Sequence, residues 1–282
     1  HSSRDGYLVG AAARLARIPL VIRSRHIDVD YPNPWVSRHA FSTFADHVLT
    51  TSEKITHRLK STFHLEENRI STVPTGINLD RFSHAGPSAD LLKKKGADSH
   101  PLVGMVAVLR SWKGHLDLLK AADLLRARGV RVHFVIVGDG PFQIPIQNKI
   151  KDLQLSEWVT LTGHREDVPE VLRVLDVLAI PSTGHEGIPQ IGLQALACGT
   201  PVVGSDAGGI PEIIRPGETG RVVKAGDAGQ LADAIEAALT ETGASQQMSK
   251  NGRGLVEEQH GLEHMLDRLE NIYSHHLSES DC

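Results

Sequence analysis

Glu186 and Gln194 flank the point where an apolar run gives way to a helical pattern. Asp176-Val-Leu-Ala-Ile180 reads as a buried strand that stops at Pro181 and Ser182. A loop then carries Glu186 and Gly187, and from about Pro189 the residues Ile191, Gln194, Ala195 and Cys198 recur at helical spacing. A carboxylate at the carboxyl end of a parallel strand, beside the free N–H groups of a helix start, lies where open α/β sheets bind ligands. Gln194 adds a side chain that both donates and accepts. From these residues alone, Glu186 also suits a plain strand–loop–helix unit in which it caps the helix.

Arg110 and Lys113 follow another apolar run, in Leu109-Arg-Ser-Trp-Lys-Gly114. A guanidinium gives bidentate geometry and an ammonium a point charge, so the pair could hold a diphosphate. By itself, such a pair more often marks a solvated helix entrance. Gly138-Asp-Gly-Pro141 follows the run Val132–Val137 and permits either a tight turn or close backbone approach to a ligand; no full G-x-G-x-x-G is present. Gly163, His164 and Arg165 follow a further strand. Gly208-Gly-Ile-Pro-Glu212 is a glycine-rich helix start whose Glu212 serves as an ion-pair partner or a ligand. Arg23, Arg25 and His26, after the short strand Pro19–Ile22, could meet an anionic acceptor or be ordinary surface charge.

The elements that must position these groups alternate. Strands are expected at 102–109, 132–137, 158–161, 176–180, 201–204 and 220–223, with helices near 114–127, 142–154, 167–173, 189–198, 208–214 and 228–241. That alternation implies βαβ units and a mostly parallel sheet. Upstream, a helix over 5–17 carries Tyr7, Leu8, Ala11, Leu15 and Ile18 on one face, a helix fills 36–45, and strands run over His47–Thr51 and Ile70–Val73. Ser52 is placed as the N-cap of a helix between those two strands. The polar stretch 84–100 reads as a linker, so the chain divides into 1–83, the linker, 101–254 and a terminal amphipathic helix within 255–282. In that helix Leu262, Met265, Leu266, Leu269, Ile272 and Tyr273 form a stripe that needs a partner, expected on the first domain.

Length agrees with two domains: 282 residues exceed what one core usually serves. A formal net charge of −4 gives no nucleic-acid footprint. No run approaches the roughly 18 apolar residues of a membrane span. Two cysteines, Cys198 and Cys282, make no disulfide framework, and a cytoplasmic location is expected. Only about three strands precede the linker, too few for a doubly wound sheet covered on both faces. The opening His1-Ser-Ser-Arg-Asp also reads as mid-domain, so a longer parent protein is expected.

Pro181-Ser182, Glu186-Gly187, Gln194-Ala195 and Cys198-Gly-Thr-Pro-Val-Val203 together resemble the signature of the family 4 retaining glycosyltransferases, with Gln194 where the family has a second Glu. His1-Ser2-Ser3 and Val73-Pro-Thr-Gly-Ile-Asn78 with Arg81-Phe82 resemble further family stretches. The resemblance implies the GT-B fold, two Rossmann-like doubly wound parallel-sheet domains facing a cleft, the first incomplete here. It implies transfer of a sugar from a nucleotide-diphospho-sugar to an acceptor hydroxyl with retention, in cell-surface polysaccharide or glycolipid synthesis. Arg110 and Lys113 would then stabilise the departing diphosphate, Glu186 face the donor sugar, and His1 point at the reacting centre. Donor contacts would come from Gly138, Gly140, Gly163, His164, Arg165, Gly187, Ile188, Pro189, Gln190 and Gln194, the last on the ribose. The implied partners are a nucleotide sugar and a saccharide or lipid-linked acceptor, with peripheral association at the cytoplasmic membrane face and no nucleic acid.

No cofactor and no protein-bound metal are expected. Asp28-Val-Asp30 matches the D-x-D metal motif of the other glycosyltransferase fold but lies in a proline-containing loop of the wrong domain. His260-Gly-Leu-Glu-His264 matches a zinc pattern but lies beside Gly261 at a helix entrance, and a metalloprotease also needs a third ligand and an active-site cleft. A GT-B epimerase or hydrolase, and a nucleotide-sugar-binding fragment without turnover, stay open as alternatives.

Overall fold

The computed structural model describes residues 3–27, 34–90 and 100–280. The chain divides into two compact units, one of His1–Gly76, His185–Ile188 and Gln259–Cys282, the other of Ile77–Gly184 and Pro189–Glu258. The expected sites at His1, Asp28 and Asp30 lie outside the described residues.

In the first unit α1 (Ser3–Leu15), β1 (Ile22–Arg25), α2 (Pro34–Ser42), β2 (His47–Thr50), α3 (Glu53–Phe63) and β3 (Ile70–Thr72) follow in order. The three strands pair in parallel as β1-β2-β3, and all four residues of the central β2 are buried. The N-cap is where the sequence puts it: the Ser52 hydroxyl accepts the Ile55 N–H at 3.2 Å. The apolar face of α3 closes a small core in which the Phe41 and Phe63 rings stack at 4.9 Å. Truncating such a buried ring costs about 3–5 kcal/mol.

One expectation for this unit fails. The strand forecast at Pro19–Ile22 starts at Ile22. Pro19 has no N–H to give a ladder, and the Val21 N–H is taken by the Asp46 carboxylate at 2.8 Å, which also binds Arg14 at 2.6 Å. Arg23 and Arg25 therefore lie inside the strand rather than after it. The helix expected over 5–17 is α1, with Leu8 and Leu15 73% and 87% exposed.

The second unit holds β4 (Leu102–Val106), α4 (His115–Ala127), β5 (His133–Val137), α5 (Gln143–Asp152), β6 (Val159–Gly163), α6 (Val168–Val174), β7 (Val177–Ile180), α7 (Gln190–Cys198), β8 (Val202–Ser205), α8 (Ile210–Ile213), β9 (Arg221–Val223), α9 (Ala228–Thr240) and α10 (Thr242–Gln259). Its six strands are all parallel in the order β6-β5-β4-β7-β8-β9. α4 packs with α5 and α9, and α7 with α6 and α8, so two helix groups cover the sheet. That burial on both sides is why these strands read as unbroken apolar runs. The chain reverses direction across the sheet between β4 and β7, which makes the carboxyl ends of those strands the switch point where such sheets bind ligands.

α10 has no counterpart in the sequence reading. Gly243, Gly252 and Gly254 each lower helix propensity by about 1 kcal/mol relative to Ala. Packing overrides this: Met248, Leu255 and Val256 are buried, and a Cβ on Gly252 would come 2.5 Å from the Leu196 side chain. The polar stretch after Ile77 is tied to the second unit. The Ala89 N–H donates to Glu170 O at 2.9 Å, and Arg173 donates to the carbonyls of Ser83 and Pro87, each at 2.9 Å.

The last helix, α11 (Leu262–Ser280), belongs to the first unit. Leu262, Met265, Leu269, Ile272 and His276 are its half-buried positions, while Leu266 and Tyr273 are 45% and 44% exposed. The Gly76 N–H meets Met265 Sδ at 3.3 Å, and His276 Nε2 shares a hydrogen bond with His47 Nδ1 at 2.9 Å. His47 Nε2 in turn bonds Ser71 Oγ at 2.9 Å.

Burial, with His276 beside it, pushes the His47 pKa from 6.5 down to about 4. The folded chain thus resists a proton that the unfolded chain accepts. This contribution is whole above about pH 6.5 and is lost progressively as pH falls toward 4. Thermal unfolding followed from pH 7 to pH 4.5 should show Tm falling less steeply in His47→Gln than in the parent. Parallel slopes would show that His47 does not carry the acid response.

Candidate active site

β4 ends at Val106, and the chain runs through Leu109 to a single 3-10 turn at Ser111–Lys113 before α4 begins. Arg110 is exposed and lies 5.4 Å over the Trp112 ring. Lys113 is half-buried. Gly114 closes the turn at φ +82°, and a Cβ there would sit 1.8 Å from Pro181 O at the end of β7. Only glycine allows both that backbone angle and that approach. Across the same seam the Thr183 N–H donates to Trp112 O at 2.7 Å. Behind it, the Ser205 hydroxyl at the end of β8 donates to Ser182 O at 2.5 Å. Two cations and the loop after β7 are thus fixed at the sheet's switch point.

Electrostatics there favour an anion. Arg110 and Lys113 precede the start of α4, whose free N–H groups add partial positive charge. His115, the first residue of α4, is fully buried, and burial lowers its pKa to about 4, so it is neutral near pH 7. Cys198 is a buried thiol pushed up to about 11, which leaves it inert.

The loop after β5 packs onto the loop after β4. The Leu109 N–H reaches Asp139 O at 2.8 Å, and a Cβ on Gly138 would lie 2.0 Å from Ala107 O. The Gly138 N–H donates to Gly163 O at 2.8 Å, bringing the end of β6 to the same rim. His164 beside it is exposed. Arg165 behaves differently: its Nε donates to Asp167 at 2.8 Å and a second nitrogen pairs with the same carboxylate, so its charge is spoken for within its own turn. Pro189 is the N-cap residue of α7, Gln190 its exposed first residue, and Gln194 a half-buried position one turn in.

His185–Ile188 packs with the first unit. His185 holds a left-handed φ of +56°. Glu186 is buried, and Gly187 is seated so tightly that a Cβ would fall 2.1 Å from His26 O. In that unit Arg23 lies 4.0 Å over the Phe41 ring and Arg25 is buried, so these two are set into the β1 layer rather than offered as surface charge. Burial lowers the pKa of His26, with the Arg25 charge adding to it. In the His260–His264 pattern His260 is buried against Thr75 O at 3.3 Å and His264 is exposed, and no three metal-ligating side chains cluster among the described residues. Trp112, Gly114, Thr183 and Ser205, which lock the loops together, had no assigned role in the sequence reading. The only hint was Gly114 following Lys113.

Comparison with known proteins identifies the family and the fold. Residues 89–255 match the family described as glycosyl transferases group 1, and residues 1–81 match Glycosyltransferase Family 4. Among curated relatives, a GDP-mannose-dependent alpha-(1-6)-phosphatidylinositol monomannoside mannosyltransferase of Mycolicibacterium smegmatis is 30% identical over 87% of this chain and 68% of its own. A UDP-Gal:alpha-D-GlcNAc-diphosphoundecaprenol alpha-1,3-galactosyltransferase of Escherichia coli is 27% identical over 97% and 73%. The chain spans 56% of one curated relative and 76% of another. Of the solved structures, HepE of Anabaena in complex with UDP and glucose superposes with a TM-score of 0.85 at 22% identity, covering 97% of this chain and 76% of that one. No helix among the described residues is long and apolar enough to cross a membrane. The chain belongs to the group 1, family 4 glycosyltransferases and has the GT-B fold.

Proposed function

We propose that this protein moves a glycosyl group from a nucleotide-diphospho-sugar to an acceptor hydroxyl with retention of anomeric configuration. The observation that carries this reading is the pair Arg110 and Lys113 at the switch point, on a turn clamped to the loop after β7. The diphosphate lies against these cations and the start of α4. The bond from the anomeric carbon to the phosphate oxygen breaks, and its electron pair leaves on the diphosphate. The acceptor oxygen bonds to the same face of the oxocarbenium-like carbon, and its proton passes to a phosphate oxygen. The products are a glycoside and a nucleoside diphosphate. The positive charge that a metal supplies elsewhere comes here from the guanidinium, the ammonium and the helix start, so no protein-held metal is required.

Glu186 is assigned to the donor sugar's hydroxyls and Gln194 to the ribose. A glutamine still bonds a cis-diol, but without the charge that roughly doubles such a bond's strength. The acceptor is a saccharide or a lipid-linked saccharide met at a membrane face. The relatives named for phosphatidylinositol monomannoside and diphosphoundecaprenol substrates support that choice.

The test is steady-state kinetics with a panel of nucleotide sugars and acceptors, the anomeric configuration of the product being read by NMR. Arg110→Ala and Lys113→Ala should each lower kcat about 10²–10³-fold, the usual cost of one charge-stabilising group. Inversion at the anomeric carbon would overturn retention. Free sugar released equally fast without acceptor would make the protein a hydrolase.

Two further variants separate binding from chemistry. Glu186→Gln should depress kcat and kcat/KM together, the mark of an interaction made in the transition state. Gln194→Glu should act on donor KM, by about tenfold or less for one charge-assisted bond. Full activity in Glu186→Gln would remove its assigned role.

A further inference from the structure

A groove of about 470 Å³ opens at the other end of the second unit's sheet from Arg110, between the amino ends of β4, β7 and β8 and one face of α10. Its floor is apolar, from Pro101, Leu175 and Pro201. Its wall is polar: Gln246, Ser249, Lys250 and Arg253 recur at helical spacing along α10 and line it together. Ser249 is 7% exposed, and its hydroxyl has no hydrogen-bond partner. A buried hydroxyl left unpaired costs stability unless an outside group completes it. Arg253 is held in place, its Nε donating to Glu257 at 2.7 Å and another nitrogen to His84 Nδ1.

Charge decides the class of ligand. Asp176 lines the same groove, with one carboxylate oxygen accepting the Leu102 N–H at 2.7 Å, and Glu257 pairs with Arg253. These two carboxylates offset Lys250 and Arg253, so the groove has no cationic excess to select a phosphate. It offers alternating donors and acceptors over an apolar floor, which suits a ligand whose hydroxyls both give and take hydrogen bonds while its C–H faces lie on proline and leucine.

We propose that this groove is a second saccharide-binding site, taking a neutral segment of about two to three sugar residues, a size class within the usual range of ligand pockets. Gln246 and Lys250 bond the sugar hydroxyls from α10, the free oxygen of Asp176 accepts from the opposite side, and Ser249 gains its missing partner. The site stands apart from the donor loops and does not depend on the transfer reaction. On a transferase it would hold an already elongated acceptor at a distance from the reacting end.

The experiment is saturation-transfer NMR on the intact protein with maltotriose, cellotriose and mannotriose, UDP being present in excess so that binding at the donor loops does not contribute. At least one trisaccharide should receive saturation. The double variant Gln246→Ala/Lys250→Ala should weaken it about tenfold, the scale of losing one or two hydrogen bonds that include a charged group. UDP binding by the same variant should equal that of the parent, since both side chains lie on α10 away from the donor loops. Absence of transfer to all three sugars, equal binding by parent and variant, or displacement of the sugar by inorganic phosphate would each overturn the assignment.

Discussion

The seam between Gly114 and Pro181 holds the second unit's chemistry in place. A strand end carries a carbonyl that must point somewhere, and at Pro181 it points into space that a side chain would otherwise fill. Glycine at position 114 allows the turn after β4 to press against it. The Thr183 N–H then closes a hydrogen bond to Trp112 O across the gap, and the Ser205 hydroxyl holds Ser182 O from behind. Arg110 and Lys113 are long, flexible side chains that would lose freedom on holding the proposed diphosphate. A rigid base for both keeps that loss to the side chains alone.

Within each unit, some cations that the sequence singles out are engaged by neighbours. Arg165 follows β6, the position where the family resemblance implied a donor contact, but its guanidinium is engaged by Asp167 two residues on. Arg23 and Arg25 alternate along β1, one stacked on Phe41 and one buried. In each case a nearby partner neutralises or covers the group. Arg110, stacked on Trp112 at the rim, keeps its charge toward solvent.

The first unit relies on pairing rather than breadth. Three parallel strands give one fully buried strand, β2, and its edges are held by side chains. Arg69 donates to the carbonyls of Ser42 and Ala45, Asp46 fixes Val21, and His276 of α11 reaches His47. Burial and the neighbouring His276 resist a proton on His47, which makes the docking of α11 sensitive to acid.

By itself the sequence determined the strands of the second unit, because strands buried on both faces must be apolar throughout and leave runs that local reading finds. It also determined the Ser52 cap, set by residues three apart, and the family, through motifs at Pro181–Val203. Tertiary structure decided what depends on partners far along the chain. β1 moved by three residues because Asp46 claims Val21, and α10 formed despite its glycines because Leu196 fills the space that a side chain at 252 would need. The loop around Glu186 took its place through Gly187 against His26 O, and Gly114 met Pro181 across 66 intervening positions. Local periodicity encodes which residues turn inward. Which distant backbone they meet is settled only when strands pair and loops close.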